Sequence, residues 1–159
     1  MDDLSIEPAP ADLIARLWRD FTGLPIVTVS RTYDDPADTE ALVCRNTDGG
    51  LCGHVSFAMH GDDAEIVTIE ASPPGRHVGG RLLDAAENHL RSCGVRRVVV
   101  TTTNDNLRAQ AFYMRRGYRL TRIEIDGMAR VRALKPMVPV VGIEGLPLLD
   151  MWEFEKTLE

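Results

Sequence analysis

The chain has 159 residues, 44% apolar and 26% charged, enough for one globular domain with a buried core. Eighteen basic against 24 acidic residues leave a net charge of −6 with no strongly basic run, which argues against a nucleic-acid or anionic-membrane partner. No apolar stretch approaches the ~20 residues of a membrane span, and the acidic start MDDLSIEPAP is the reverse of a signal peptide's cationic head, so a cytoplasmic protein is expected.

In chain order, residues 1–10 read as a loose tail. Leu13, Ile14, Leu17, Trp18 and Phe21 then recur at helical spacing until Gly23-Leu24-Pro25. IVTVSRTY (26–33) alternates as a strand and is stopped by Asp34-Asp35-Pro36. EALVCRN and CGHVSFAMH form a hairpin across Thr47-Asp48-Gly49-Gly50, and EIVTIEA (65–71) is a further strand. Leu82, Leu83, Ala86 and Leu90 mark a helix that Gly94 caps. RRVVVTTT (96–103) has the β-branched run of a buried central strand. A short helix, LRAQAFYMRR, follows Asn104-Asp105-Asn106. YRLTRIEID is a strand, 127–135 a helix, and LPLLDMWEFEKTL the last strand. Strands and helices interleave, so an α/β or α+β sheet with packed helices is expected. Cys44, Cys52 and His54 lack the spacing of a four-ligand zinc site, and the cysteines read as core.

Two stretches point to chemistry. In PPGRHVGGRLL a helix opens on Gly79-Gly80, poor helix formers, flanked by Arg76 and Arg81. A helix start offers unpaired N–H groups and a partial positive charge, and glycines let a phosphate approach them. The alternative is that the glycines serve tight helix–strand packing. No GxxxxGK[ST] or GxGxxG is present, which disfavours a nucleotide loop of either type. In the second stretch, Asn106 and Tyr113 lie seven residues apart, two helical turns on one face, where a long thin ligand can run. Either residue also has a plain structural use, as helix cap or core.

On these residues the sequence resembles the GNAT superfamily of acetyl-CoA-dependent N-acetyltransferases. Asn106, Ala109, Phe112, Tyr113, Gly117 and Tyr118 fit N-x-x-A-x-x-F-Y-x-x-x-G-F/Y throughout. Gly79 fits the last glycine of R/Q-x-x-G-x-G/A, whereas Pro74 and His77 replace its first residue and middle glycine. VTVSRTYDDPAD, TTTNDN and RVRALKPMVPVVGIEGLPLLD look like a bacterial subgroup of undefined substrate, with Leu149 and Met151 in place of that group's Arg and Glu beside Asp150. The resemblance implies one domain over 1–159, with a mixed, mostly antiparallel central sheet, splayed middle strands and helices on both faces. It also implies pantetheine between strands 65–71 and 96–103, pairing along Ile69 to Ala71. Pyrophosphate would rest on the N–H groups of Arg76, His77, Val78, Gly79, Gly80 and Arg81. Asn106, Ala109, Phe112 and Tyr113 would flank the rest of the cofactor.

The implied reaction is direct acetyl transfer from acetyl-CoA to a primary amine of a small molecule, by a monomer or homodimer. A degenerate CoA-binding sensor or interaction module is the alternative. Tyr113 is the candidate acid, since a phenol near pKa 10 can donate to a thiolate whose conjugate thiol lies near 8.5. Glu70, between Ile69 and Ala71, is the candidate base, its pKa expected to be raised by burial. Asp105, Glu124 and Asp150 are weaker alternatives. Residues 126–147 are expected to close the site, with Arg130, Arg132 and Lys135 read as a solvated basic face.

Overall fold

The computed structural model describes residues 4–72 and 77–159. Seven strands form one sheet in the order β1-β4-β5-β6-β7-β9-β8. They are β1 (Ser5–Pro8), β4 (Glu40–Arg45), β5 (Leu51–His60), β6 (Asp63–Ala71), β7 (Arg97–Thr103), β8 (Arg119–Glu124) and β9 (Met151–Thr157). Only β6 and β7 pair in parallel; every other neighbouring pair is antiparallel.

Helix α2 (Val78–Ser92) makes the crossover between β6 and β7, and α3 (Leu107–Arg115) follows β7. Leu82, Leu83, Ala86 and Leu90 of α2 and Tyr113 of α3 bury against Val55, Phe57, Ile66 and Val100 on one sheet face. Helix α1 (Ala11–Phe21) covers the other face, where Ile14 and the fully buried Trp18 pack on Ala41 and Ala58. Alternation along β5 thus sends Val55 and Phe57 to one helix layer and Ala58 to the other.

Two of the sequence expectations fail locally. Residues 5–8 are not a loose tail: Ser5–Pro8 pair with Leu42–Arg45 as β1 and satisfy what would otherwise be β4's open edge. Residues 26–33 are not one strand but a miniature hairpin of β2 (Ile26–Val27) and β3 (Thr32–Tyr33). The Thr28 hydroxyl causes the reversal by accepting from Arg31 N (3.0 Å) while Thr28 N donates to Arg31 O (2.8 Å).

The last strand is also shorter than its apolar run. Asn104 Oδ1 accepts from both Leu149 N and Asp150 N, its Nδ2 donates to Pro147 O, and Asp105 Oδ2 accepts from Ile143 N. These bonds pull the segment before Met151 out of the sheet and lay it with α4 (Gly127–Leu134) beside the small hairpin. Met128, Val131, Leu148 and Met151 meet Val27 and Val29 there.

Candidate active site

The β6–β7 ladder runs from Asp63↔Arg97 to Ile66↔Val100 and stops. Beyond it, among the described residues β6 keeps β5 as its only neighbour and β7 keeps β9, so Val67–Ala71 and Thr101–Thr103 turn edges unpaired within the described sheet toward each other. The divergence begins at a bulge. Ser56 pairs with Thr68 and Phe57 with Ile66, leaving Val67 as the extra residue of β6. A bulge bends its strand and increases its twist, which swings the far end of β6 away from β7.

A cavity of about 930 Å³ fills the gap and reaches both sheet faces, with Tyr113 and Phe112 on the α3 side and Phe21 on the α1 side. Ile69, Glu70, Ala71, His77, Val78, Gly79, Gly80, Asn106 and Ala109 line it as well. Of the expected site residues, Arg76 lies outside the described residues with Pro74, and Arg81 does not line the cavity. Among the described residues the flanking cations are Arg108 and Arg115 of α3, Arg116 at its C-cap and Lys156 of β9.

Among the described residues the start of α2 leaves its first donors open. His77 takes the N-cap position in a left-handed conformation (φ 56°) without a side-chain cap bond, and no acidic residue sits in the first turn. The first helical bond is Arg81 N to His77 O at 3.0 Å, so the N–H groups of Val78, Gly79 and Gly80 precede it. The two glycines differ. A Cβ on Gly79 would sit at ordinary distance from the Phe112 ring (3.7 Å), whereas one on Gly80 would fall inside the Arg116 guanidinium. That guanidinium lies 5.4 Å over the Phe112 ring and pairs with Asp84 at 2.8 Å. Gly80 therefore makes room for a cation, and Gly79 keeps the approach to the backbone low.

Asn106 caps α3, its side chain accepting from Ala109 N at 3.1 Å. Tyr113 is 4% exposed, packed against Phe112, Tyr118 and Phe154, and its hydroxyl bonds to no described residue. Burial pushes its pKa above the ordinary phenol value, so it holds its proton until a strong base arrives.

Glu70 departs from expectation. It lies at the strand end with its side chain 47% exposed rather than buried, because the diverging strands open that end of β6 to solvent. Close by is a residue that sequence reasoning set aside with the cysteines. His54 is 2% exposed, its ring 5.7 Å from Phe21 in edge contact, and its Nδ1 is 4.0 Å from Glu70 Oε2. Burial lowers its pKa to about 4, so it is neutral at pH 7. Cys44 and Cys52 pack with α2 on the opposite face. Period-two alternation would put Cys52 and His54 on one side, but Cys52 is the extra residue of a bulge between Cys44↔Gly53 and Arg45↔Leu51.

The weaker candidate bases are committed elsewhere. Asp105 is buried and accepts from Thr103 Oγ1 and Ile143 N, Glu124 chelates Arg130 at 2.8–3.0 Å, and Asp150 accepts from Asp126 N. The supposed basic face of α4 is equally structural. Lys135 is 8% exposed and donates to Thr22 O, Thr22 Oγ1 and Gly23 O. Arg132 bonds Pro139 O and Leu148 O, and Arg130 donates to Thr28 O. Beneath the hairpin, Glu65 is fully buried, its Oε1 accepting from Tyr33 (2.7 Å) and Thr28 (3.2 Å) while Oε2 has no partner among the described residues. Burial raises its pKa to about 7.

This architecture and sequence have recognisable relatives. Residues 11–118 match the acetyltransferase (GNAT) family. The chain is 27% identical over 150 residues, 94% of both chains, to the uncharacterized protein YxbD of Bacillus subtilis (strain 168). Among solved structures it resembles the IAA acetyltransferase from Bacillus cereus ATCC 14579 with a TM-score of 0.76 and 18% identity, covering 98% of this chain and 99% of that one. It also resembles a GNAT family acetyltransferase from Elizabethkingia anophelis with acetyl-CoA bound, with a TM-score of 0.74 and 16% identity, covering 99% and 100%.

Proposed function

The chain belongs to the acetyltransferase (GNAT) family and is an acyltransferase with acetyl-CoA as its co-substrate, and on that premise we propose that it passes the acetyl group directly to a primary amine of a small molecule. The observation that carries this reading is the cleft through the sheet, with N–H groups at the α2 start and a buried phenol in its wall that have no side-chain partner among the described residues, and a carboxylate at the opposite mouth.

The residues present fit the co-substrate. The free edge Ile69–Ala71 suits an extended pantetheine chain, and the first-turn donors of α2 with Arg108, Arg115 and Arg116 suit phosphates. Bound there, acetyl-CoA supplies an activated thioester. Glu70 takes a proton from the arriving ammonium, because only the neutral amine attacks. Unpaired N–H groups on the splayed end of β6 face the developing oxyanion. As the intermediate collapses, Tyr113 donates a hydrogen bond to the departing sulfur, and the proton still carried by the acylated nitrogen passes through the phenol to that sulfur, which leaves as the thiol while Tyr113 ends protonated. The acceptor mouth holds Phe21 and Glu70, while Arg130, Arg132 and Lys135 are turned to backbone carbonyls. That mouth favours a cationic amine with an apolar neighbour over a carboxylate-bearing acceptor.

Thermal shift with acetyl-CoA, CoA and ATP in parallel, followed by thiol release with an amine panel, tests the reading. Both CoA species at about 100 times Kd should stabilise by about 2.7 kcal/mol and ATP should not. Stabilisation by CoA with no thiol release from any amine would point to a sensor that has lost catalysis.

A further inference from the structure

On the α1 face of the sheet a single file of side chains joins the core to the acceptor mouth. Trp18 Nε1 donates to Ser56 Oγ at 3.2 Å, Ser56 Oγ and Thr68 Oγ1 are 2.5 Å apart, and Thr68 Oγ1 is 3.1 Å from His54 Nε2. His54 Nδ1 then faces Glu70. All of these but Glu70 are buried.

The direction of the file is fixed by its first member. An indole N–H only donates, so Ser56 Oγ is an acceptor at that end and must place its own proton elsewhere. The acceptor in reach is Thr68 Oγ1, which then turns its proton to His54 Nε2. A neutral imidazole that accepts at Nε2 carries its proton at Nδ1. The reverse polarity would leave the Ser56 proton buried without an acceptor, the costly outcome for a polar group inside a protein. The neutral ring is also the form that burial favours.

We propose that His54 is the positioning residue for Glu70: locked as the Nδ1–H tautomer by the Trp18–Ser56–Thr68 file, it offers a hydrogen-bond donor that holds the carboxylate toward the acceptor amine. The inference rests on Glu70 being the proton acceptor. At 4.0 Å the pair lies just outside hydrogen-bond distance, closed by a small rotation of the solvent-exposed Glu70 or by one bridging water. Phe21 stacks edge-on against the imidazole and blocks it from swinging out. Among the described residues no other charged group is placed to compete: the ring's neighbours across the strands are Val43 on β4 and Glu70 on β6.

The test has two arms. The first reads the tautomer by long-range proton–nitrogen NMR of protein labelled in its histidine rings. It should report Nδ1 protonated and Nε2 bare in the wild type, and a mixture of tautomers in Thr68→Val, which keeps the shape and cuts the file. A wild-type ring protonated at Nε2 overturns the proposal. The second arm compares His54→Asn, whose amide N–H replaces the Nδ1 donor, with His54→Gln, whose amide lies at the Nε2 position instead. The Gln variant should lose kcat on the order of 10- to 100-fold with little change in amine KM, as misorientation of a catalytic group does, and the Asn variant should recover most of it. Equal losses in both variants, tracking only their thermal stability, mean a structural histidine and overturn the proposal. If the wild type acetylates no amine, the function proposed above fails, and the NMR arm still decides the His54 geometry by itself.

Discussion

Replacing Glu65 with Gln should raise stability at alkaline pH and leave it little changed at acid pH. Glu65 titrates near 4.5 in the unfolded chain and near 7 in the folded one, chiefly because burial penalises its charge, with Glu153 adding repulsion and Tyr33 and Thr28 opposing the shift. Between those values the folded state holds the proton more tightly, so stability falls as pH rises, and above pH 7 the full penalty stands. At 1.36 kcal/mol per pH unit it amounts to about 3 kcal/mol. His54 works with the opposite sign: its pKa drops from 6.5 to about 4, so its contribution to stability is lost as pH falls through that range. The two slopes overlap between pH 4.5 and 6.5 and nearly cancel in the wild type. In Glu65→Gln the cancellation ends, and stability should climb from pH 4.5 to 6.5. Urea denaturation at pH 4.5, 6.5 and 8 measures it. The difference between variant and wild type should grow by about 3 kcal/mol across the series, or about 6–12 °C in Tm for a chain of this size. Comparing the variant with the wild type across pH removes any constant offset from the altered Tyr33 and Thr28 bonds. A difference that does not vary with pH would refute the argument that Glu65 ionises at a cost.

Tyr113→Phe should lower kcat on the order of 100-fold or more while CoA affinity, measured by calorimetry, stays within about threefold; undiminished turnover removes the phenol from the reaction. Gly53→Ala sets a Cβ 2.5 Å from the Glu70 carbonyl oxygen, backbone that cannot step aside, and should cost about 1–3 kcal/mol; an unchanged urea midpoint would show that β5 and β6 yield there. Lys135→Met strips the donor from Thr22 and Gly23 carbonyls at the end of α1, and about 1–3 kcal/mol of stability should go with it, with KM for the acceptor unaltered. A selective rise in that KM would instead assign Lys135 to the substrate site.

Much of this protein is written locally. The 3.6-residue spacing of Leu82, Leu83, Ala86 and Leu90 specifies α2, the β-branched run Val98–Thr102 specifies a central strand, and Asn106 to Tyr118 carry the family pattern by spacing alone. These signals are legible because a helix stripe or a capping amide depends on neighbours a few residues away. What tertiary structure decided depends on partners far along the chain. Ser5–Pro8 become a strand because β4, some 37 residues on, has an open edge, a fact invisible in a short segment containing a proline. One extra residue at Val67 opens the cleft, and one at Cys52 puts His54 on the face opposite the cysteines; a bulge changes register without leaving a mark in the hydrophobic alternation. Glu70 has apolar neighbours in sequence and is nevertheless half exposed, since flanking residues point to the other side of a strand and say nothing about what covers its own. Gly80 reads as a phosphate glycine until Arg116, on another helix, is seen filling the place of its missing side chain. Lys135, read by composition as solvated, is buried because its carbonyl partners arrive from α1, more than a hundred residues earlier. Sequence fixes what each segment can form by itself; which groups share a low-dielectric space, and so which acids, bases and cations act on one another, follows only from packing.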